Sequence, residues 1–257
     1  MATATVTTAT GTPVTFTREG DGPAATVYIP GFAETTASWD ALAEELAQSD
    51  REVVRIDLPG SGLRTGAATP YAIEAAATDV AAVIDAVGKP ATIIAHSMGS
   101  QIAELAAISR PELVERLILI DPIPLGGAHA PGQPAPAIDA GELLHSQLDV
   151  FAELGDGGQA LTTDALAVPA DTLQQYCDAF AEGHPAGETT SRFEGKVLLL
   201  AGEHDPVSNP AFVESAIAPR FAHAITQTIA GAGHHPHLQA TGATAAAIGA
   251  FFAAHQD

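Results

Sequence analysis

Cysteine is almost absent: Cys177 is the single thiol, so no disulfide can form within the chain. That suits a reducing compartment. Basic residues are also scarce, with 10 Lys and Arg against 31 Asp and Glu, a formal charge of −21. Such a surface repels phosphate-rich partners, which argues against both nucleic acid and anionic membranes. No apolar run approaches the roughly 18 residues that a membrane span needs. The first residues, Met1-Ala2-Thr3-Ala4-Thr5-Val6, lack the basic and apolar regions of a secretory signal. A cytoplasmic protein acting on a small molecule is therefore expected. Charged residues make up 16% and hydrophobic ones 46%, too apolar a balance for a disordered chain. A length of 257 residues fits one α/β domain with an inserted lobe.

The pattern along the chain supports that organisation. Thr3–Thr8 and Val14–Arg18, with Gly11-Thr12-Pro13 between them, read as a hairpin. Ala25–Ile29 is the next strand and ends at the breaker pair Pro30-Gly31. Ser38 is the expected N-cap of a helix on which Trp39, Leu42, Ala43 and Leu46 share a face. Glu52–Asp57 reads as a strand and Ile73–Val87 as a helix closed by Gly88. Leu117–Ile120 and Val197–Leu200 are continuous apolar strands, as a sheet covered on both faces requires. Ala224–Ile229 reads as the last strand and Ala243–Ala254 as the last helix. The alternation predicts an α/β fold, a mostly parallel twisted sheet with helices on both faces. Residues 122–192 break the rhythm. They are rich in Pro, Gly and Ala and carry helical patches near Gly141–Glu153 and Thr172–Ala181. They are expected to form an inserted, mainly helical cap on a core made of residues 1–121 and 193–257.

The most informative stretch is Ile93-Ile94-Ala95-His96-Ser97-Met98-Gly99-Ser100. An apolar strand stops at a serine, and a helical segment follows. A nucleophile elbow needs that context, with nearly side-chain-free positions two before and two after the serine. Ala95 and Gly99 meet the requirement. Serine needs a base, and the base needs an orienting group. In an open parallel sheet the loops leaving the carboxyl ends of the strands converge. Two later loops there carry suitable groups, Gly202-Glu203-His204-Asp205-Pro206-Val207 and Gly231-Ala232-Gly233-His234-His235-Pro236. The resulting order is Ser97, Asp205, His234.

With Pro30-Gly31-Phe32 and the turn Asp57-Leu58-Pro59-Gly60-Ser61-Gly62, these motifs make the chain resemble the α/β-hydrolase family over nearly its whole length outside residues 122–192. The resemblance implies Ser97 as nucleophile, His234 as general base and then acid, and Asp205 as the orienting carboxylate. It also implies the backbone N–H groups of Phe32 and Met98 as oxyanion-hole donors. Two features depart from the family pattern. Pro30 stands where family members commonly carry histidine, and Ala95 where glycine is commonest.

Other residues have competing readings. Asp121 also follows a strand, and some family members draw their acid from that loop. His235 and His237 adjoin the base and are expected at a partly exposed surface. His204 is read as loop. His96 and Trp39 are candidates for a substrate pocket, with core packing as the alternative; Met98 carries the same pair of readings. A metal site from His234, His235 and His237 lacks further ligands at a recognisable spacing, so neither metal nor cofactor is expected. Gly60-Ser61-Gly62-Leu63-Arg64-Thr65-Gly66 lacks the Lys-Ser/Thr of a phosphate loop and reads as a turn. The expected activity is a serine hydrolase, a carboxylesterase or lactonase for a small to medium, largely uncharged substrate. The same parts also serve carbon–carbon bond hydrolases, cofactor-free oxygenases, perhydrolases and non-catalytic small-molecule receptors.

Overall fold

Strands that are apolar at every position must be covered on both faces, and the central strands of this protein are covered that way. The structure is a computed structural model and describes residues 1–46, 50–66, 71–130 and 132–255. Eight strands form one sheet: β1 Ala2–Thr7, β2 Pro13–Glu19, β3 Ala24–Ile29, β4 Arg51–Ile56, β5 Ala91–His96, β6 Val114–Ile120, β7 Lys196–Gly202 and β8 Ala224–Ile229. Their spatial order is β1-β2-β4-β3-β5-β6-β7-β8. The first two pairings are antiparallel and the rest parallel.

The register sorts side chains onto two faces. Val27 lies beside Ile93, Ile93 beside Leu117, and Leu117 beside Val197. Together with Leu119 and Leu199 they form one core with the helices α2 Ile73–Val87 and α3 Gly99–Ser109. The alternate residues Tyr28, Ile94, Ile118, Ile120, Leu198 and Leu200 form the second core. There they meet Leu42 of α1 Asp40–Leu46, together with Ile248 and Phe251 near the C-terminus. The edge strands β1 and β8 are largely exposed, which fits their threonine-rich sequences.

Between β6 and β7 lie the cap helices α4 Ala140–Glu153, α5 Asp156–Ala167 and α6 Ala170–Glu182. The sequence suggested helical patches at the first and third. Gly157 and Gly158 disguise α5, and Gly158 has a packing reason: a Cβ there would collide with the Phe151 carbonyl, so glycine lets α4 and α5 approach. Hydrogen bonds tie the cap helices and their flanks to the core, among them three from side chains. Tyr176 donates to the Pro59 carbonyl at 2.5 Å, Thr35 to Asp164 at 2.7 Å, and Gln101 of α3 to the Phe180 carbonyl at 3.1 Å.

After β7 come the short α7 Pro210–Phe212, α8 Pro236–Gln239 and the final helix α9 Thr241–Ala254. Gly88 closes α2 in the left-handed conformation, as expected. Ser38 does not cap α1. A 3₁₀ turn, Thr36–Trp39, precedes that helix, so the cap moves upstream to Thr35, whose side chain accepts from Ala37 N–H. Ser38 instead donates its hydroxyl to the Thr35 carbonyl at 2.9 Å. The Asp57 turn is a turn indeed: the carboxylate accepts from Thr36 N–H at 2.7 Å and Leu63 N–H at 2.9 Å.

Ile94 sits on β5, in the middle of the sheet, and is fully buried. Ile94→Ala is expected to lower unfolding stability by about 2–5 kcal/mol, read from the urea midpoint at unchanged m-value.

Candidate active site

Parallel strands bring their carboxyl ends to one edge, and five of them deliver residues there. β3 leads to Phe32, β5 to Ser97, β6 to Asp121, β7 to Asp205 and β8 to His234. Among the described residues, three non-glycines have positive φ, and all three belong to this set of loops: Ala33 at 51°, Ser97 at 49° and Asp121 at 43°. Such conformations each cost on the order of 1–3 kcal/mol, and strain of this kind gathers at functional sites.

The turn at Ser97 is tight because neighbouring backbone crowds it. A Cβ on Gly99 would sit 2.6 Å from the Pro30 carbonyl oxygen. Ser97 N–H donates to Ile120 O at 2.9 Å, and Ser100 N–H donates to Ser97 O at 2.9 Å. Ser97 thus stands at the edge of the sheet, and the residue is 7% exposed. His234 Nε2 is 3.0 Å from Ser97 Oγ, and His234 Nδ1 is 2.8 Å from Asp205 Oδ2. The His234 side chain is 22% exposed. Asp205 Oδ1 also accepts from Val207 N–H at 2.7 Å. Burial pushes the Asp205 carboxyl up, but the hydrogen bond and charge of His234 and the Val207 N–H outweigh it and hold it below its ordinary value.

This is a strand–serine–helix turn with a histidine and a carboxylate in line, on an eight-stranded α/β sheet with an inserted cap. Residues 26–247 match the Alpha/beta hydrolase family. The chain belongs to that family. It is similar to the sn-1-specific diacylglycerol lipase ABHD11 of Mus musculus, with 27% identity over 237 residues that cover 83% of this chain and 76% of the lipase. It is 30% identical to the polyketide synthase ThaQ of Burkholderia thailandensis over 238 residues, 84% of this chain, and spans 11% of that protein's length. The fold is that of a thermophilic esterase from Thermogutta terrifontis, at a TM-score of 0.80 and 20% identity over 99% of each chain. Among the described residues of this α/β hydrolase, no helix is long and apolar enough to cross a membrane.

Asp121 is the second acid near His234 but is engaged elsewhere. Its Oδ1 accepts from Gly202 N–H at 2.8 Å. Burial first, and then repulsion by Asp205, push its carboxyl up to about 9. Phe32 lies in the loop after β3 and Met98 follows Ser97, and among the described residues neither N–H donates to a protein acceptor.

Several expectations need correction. Trp39 is fully buried in the second core, its ring 5.4 Å from Tyr28 and 4.6 Å from His237, so it lines no pocket. His96 is buried too. It points beneath the serine rather than into the site, and its Nε2 lies 2.6 Å from the His234 carbonyl oxygen. The Met98 side chain packs in the first core. His235 and His237 are buried, not at the surface, because both pack against a residue that carries no obvious sequence signal, Glu34. His204 is an exposed loop residue, as expected.

Glu34 is fully buried. One of its oxygens, Oε2, accepts from Gly31 N–H at 2.8 Å. The other, Oε1, lies 3.0 Å from His96 Nδ1, 3.4 Å from His237 Nε2 and 3.6 Å from His235 Nε2. Burial alone would raise the Glu34 carboxyl, but the His96 and His237 imidazoles bring it well below its usual range. Burial would lower His96, yet the Glu34 charge and hydrogen bond raise it. His235 is held well below its ordinary value, and His237 falls to about 4, in both cases chiefly by burial. The Glu34 charge thus favours a protonated His96, and burial disfavours the charged forms of His235 and His237. Donor atoms of Glu34, His96 and His235 lie within 4.8 Å of one another, as do those of His96, Asp121 and His234. In the first set Glu34 Oε1 itself lies among the imidazole nitrogens, at 3.0 Å from His96 and 3.6 Å from His235. The only signal for Glu34 in the sequence is an acid inside a loop that Pro30-Gly31-Phe32 already ties to the site.

Asp121 also sets a pH dependence. Between its unfolded value near 4 and its folded value of about 9, the native state holds a proton that the unfolded chain releases. This contribution to stability is therefore full below the unfolded value and is lost as pH rises through that window. Asp121→Asn stays neutral throughout. Its urea midpoint is expected to fall less between pH 5.5 and pH 8.5 than that of the wild type; equal losses would count against a protonated Asp121.

Proposed function

We propose that this α/β hydrolase is a serine esterase or lactonase that cleaves a small to medium, largely uncharged substrate through an acyl-enzyme on Ser97. The observation that carries the reading is the continuous line Asp205 Oδ2, His234 Nδ1, His234 Nε2, Ser97 Oγ, with spacings of 2.8 and 3.0 Å. His234 accepts the serine proton as Ser97 Oγ bonds to the substrate carbonyl carbon. Asp205 stabilises the imidazolium that forms and holds its tautomer. The carbonyl oxygen gains negative charge, and the N–H groups of Phe32 and Met98 receive it. His234 then gives its proton to the leaving alcohol as the carbon–oxygen bond breaks. Water, deprotonated by the same imidazole, releases the acid and restores Ser97. The acidic surface, at −21, favours uncharged substrates over anionic ones.

Asp205 is preferred to Asp121 as the orienting acid for two reasons. It bonds His234 directly, and it is ionised where Asp121 is neutral. Asp205→Asn should lower kcat by about 10⁴, since the amide favours the wrong imidazole tautomer. Asp121→Asn should cost far less, and the reverse ranking would transfer the role to Asp121. A serine-directed fluorophosphonate should label the wild type but neither Ser97→Ala nor, at comparable rate, His234→Ala. Labelling without turnover on a panel of p-nitrophenyl esters and lactones would move the reading to carbon–carbon cleavage or oxygenase chemistry. Absence of Ser97-dependent labelling would favour a binding role.

A further inference from the structure

The oxyanion loop has no histidine at position 30 to brace it, yet it leaves β3, passes through Phe32 and turns sharply at Ala33. We propose that Glu34 is the positioning residue of the oxyanion hole, a buried carboxylate that fixes where the Phe32 N–H points by locking its loop to the nucleophile strand and to the base loop. The inference rests on the reading of Phe32 and Met98 as oxyanion donors.

The connections are specific. Oε2 holds the Gly31 N–H, one residue before Phe32. Oε1 faces His96 Nδ1, on the residue immediately before Ser97. His96 Nε2 in turn reaches the carbonyl oxygen of His234. One carboxylate and one imidazole therefore link the backbone carrying the hole, the nucleophile and the base. Gly31 is sized for this arrangement, because a Cβ there would lie 2.6 Å from His96 Nδ1. The positive φ of Ala33 folds the chain so that Glu34 returns beneath its own loop. His235 and His237 close the remaining sides of Oε1 and shut water out. Glu34 touches no reacting atom. Its effect is on the direction of a donor whose partner gains charge during the reaction, so it acts on the transition state more than on substrate binding.

The test compares Glu34→Ala and the isosteric Glu34→Gln with the wild type on the best p-nitrophenyl ester, alongside inhibition by a trifluoromethyl ketone of the same acyl chain. That ketone forms a tetrahedral adduct whose oxygen occupies the hole. Glu34→Ala is expected to lower kcat by on the order of 10²–10³ while KM stays within about threefold. The Ki of the ketone should rise by the same factor as kcat/KM falls. Glu34→Gln keeps an oxygen for Gly31 N–H and should recover part of the loss, to a deficit of about tenfold. If Glu34→Ala does not fold, Glu34→Gln carries the test with that expectation. Folded variants with kcat and Ki within about threefold of wild type would overturn the proposal, as would a loss confined to KM. Failure of the serine-hydrolase reading looks different: the wild type itself would show no Ser97-dependent turnover and no tight ketone binding.

Discussion

Three backbone turns in sparsely populated conformations, at Ala33, Ser97 and Asp121, can persist only where their surroundings leave no alternative. The parallel ladder supplies that rigidity. Strands β3, β5, β6 and β7 are buried on both faces, and their registers fix the heights at which the chain leaves the sheet. Ser97 and Asp121 are further held by hydrogen bonds to the next strand, Ser97 N–H to Ile120 and Asp121 N–H to Leu200. Placement of the serine is thus a property of the sheet, and the loops inherit it.

The electrostatics follow from the same geometry. Two carboxyl groups stand close together at the ends of β6 and β7, and low solvent access keeps both from being ionised. Asp205, which faces an imidazole, keeps its charge, and Asp121 keeps its proton because burial and the Asp205 charge outweigh its one peptide N–H. A second set of opposed shifts occurs around Glu34, where His96 and His237 favour the Glu34 carboxylate while burial disfavours charge on His235 and His237. The base and nucleophile therefore adjoin a buried carboxylate whose nearest neighbours are imidazoles.

Much of this was legible in the sequence. The continuous apolar runs Ile93–Ala95, Leu117–Ile120 and Val197–Leu200 announced covered parallel strands, and small residues around Ser97 announced a turn. The loops after β7 and β8 could be picked out because each follows such a run and carries ionisable side chains. What stayed hidden lay where neither periodicity nor turn chemistry speaks. Glu34 is an acid in an irregular loop, and a charged residue there normally reads as solvated. Without it, His235 and His237 had no reason to be buried, and His96 and Trp39 looked free to face a substrate. The helix α5 is masked by Gly157 and Gly158, of which Gly158 makes room for α4, and the cap falls at Thr35 rather than Ser38 because the 3₁₀ turn before α1 is not marked by hydrophobic spacing.

The hub around Glu34 has a consequence for how this protein can change. Its imidazoles lie within 4 Å of the carboxylate, out of solvent, so replacing any one leaves the others buried beside a changed charge, at a cost of about 1–3 kcal/mol or more when a charged group loses its counterpart. Gly31 belongs to the same set, since His96 occupies the room a side chain would need. Substitutions here are therefore strongly non-additive. A drifting sequence reaches a different solution only through intermediates worse than either end point. Glu34, His96, His235, His237 and Gly31 are in this sense a single heritable character, written at five separate places in the chain.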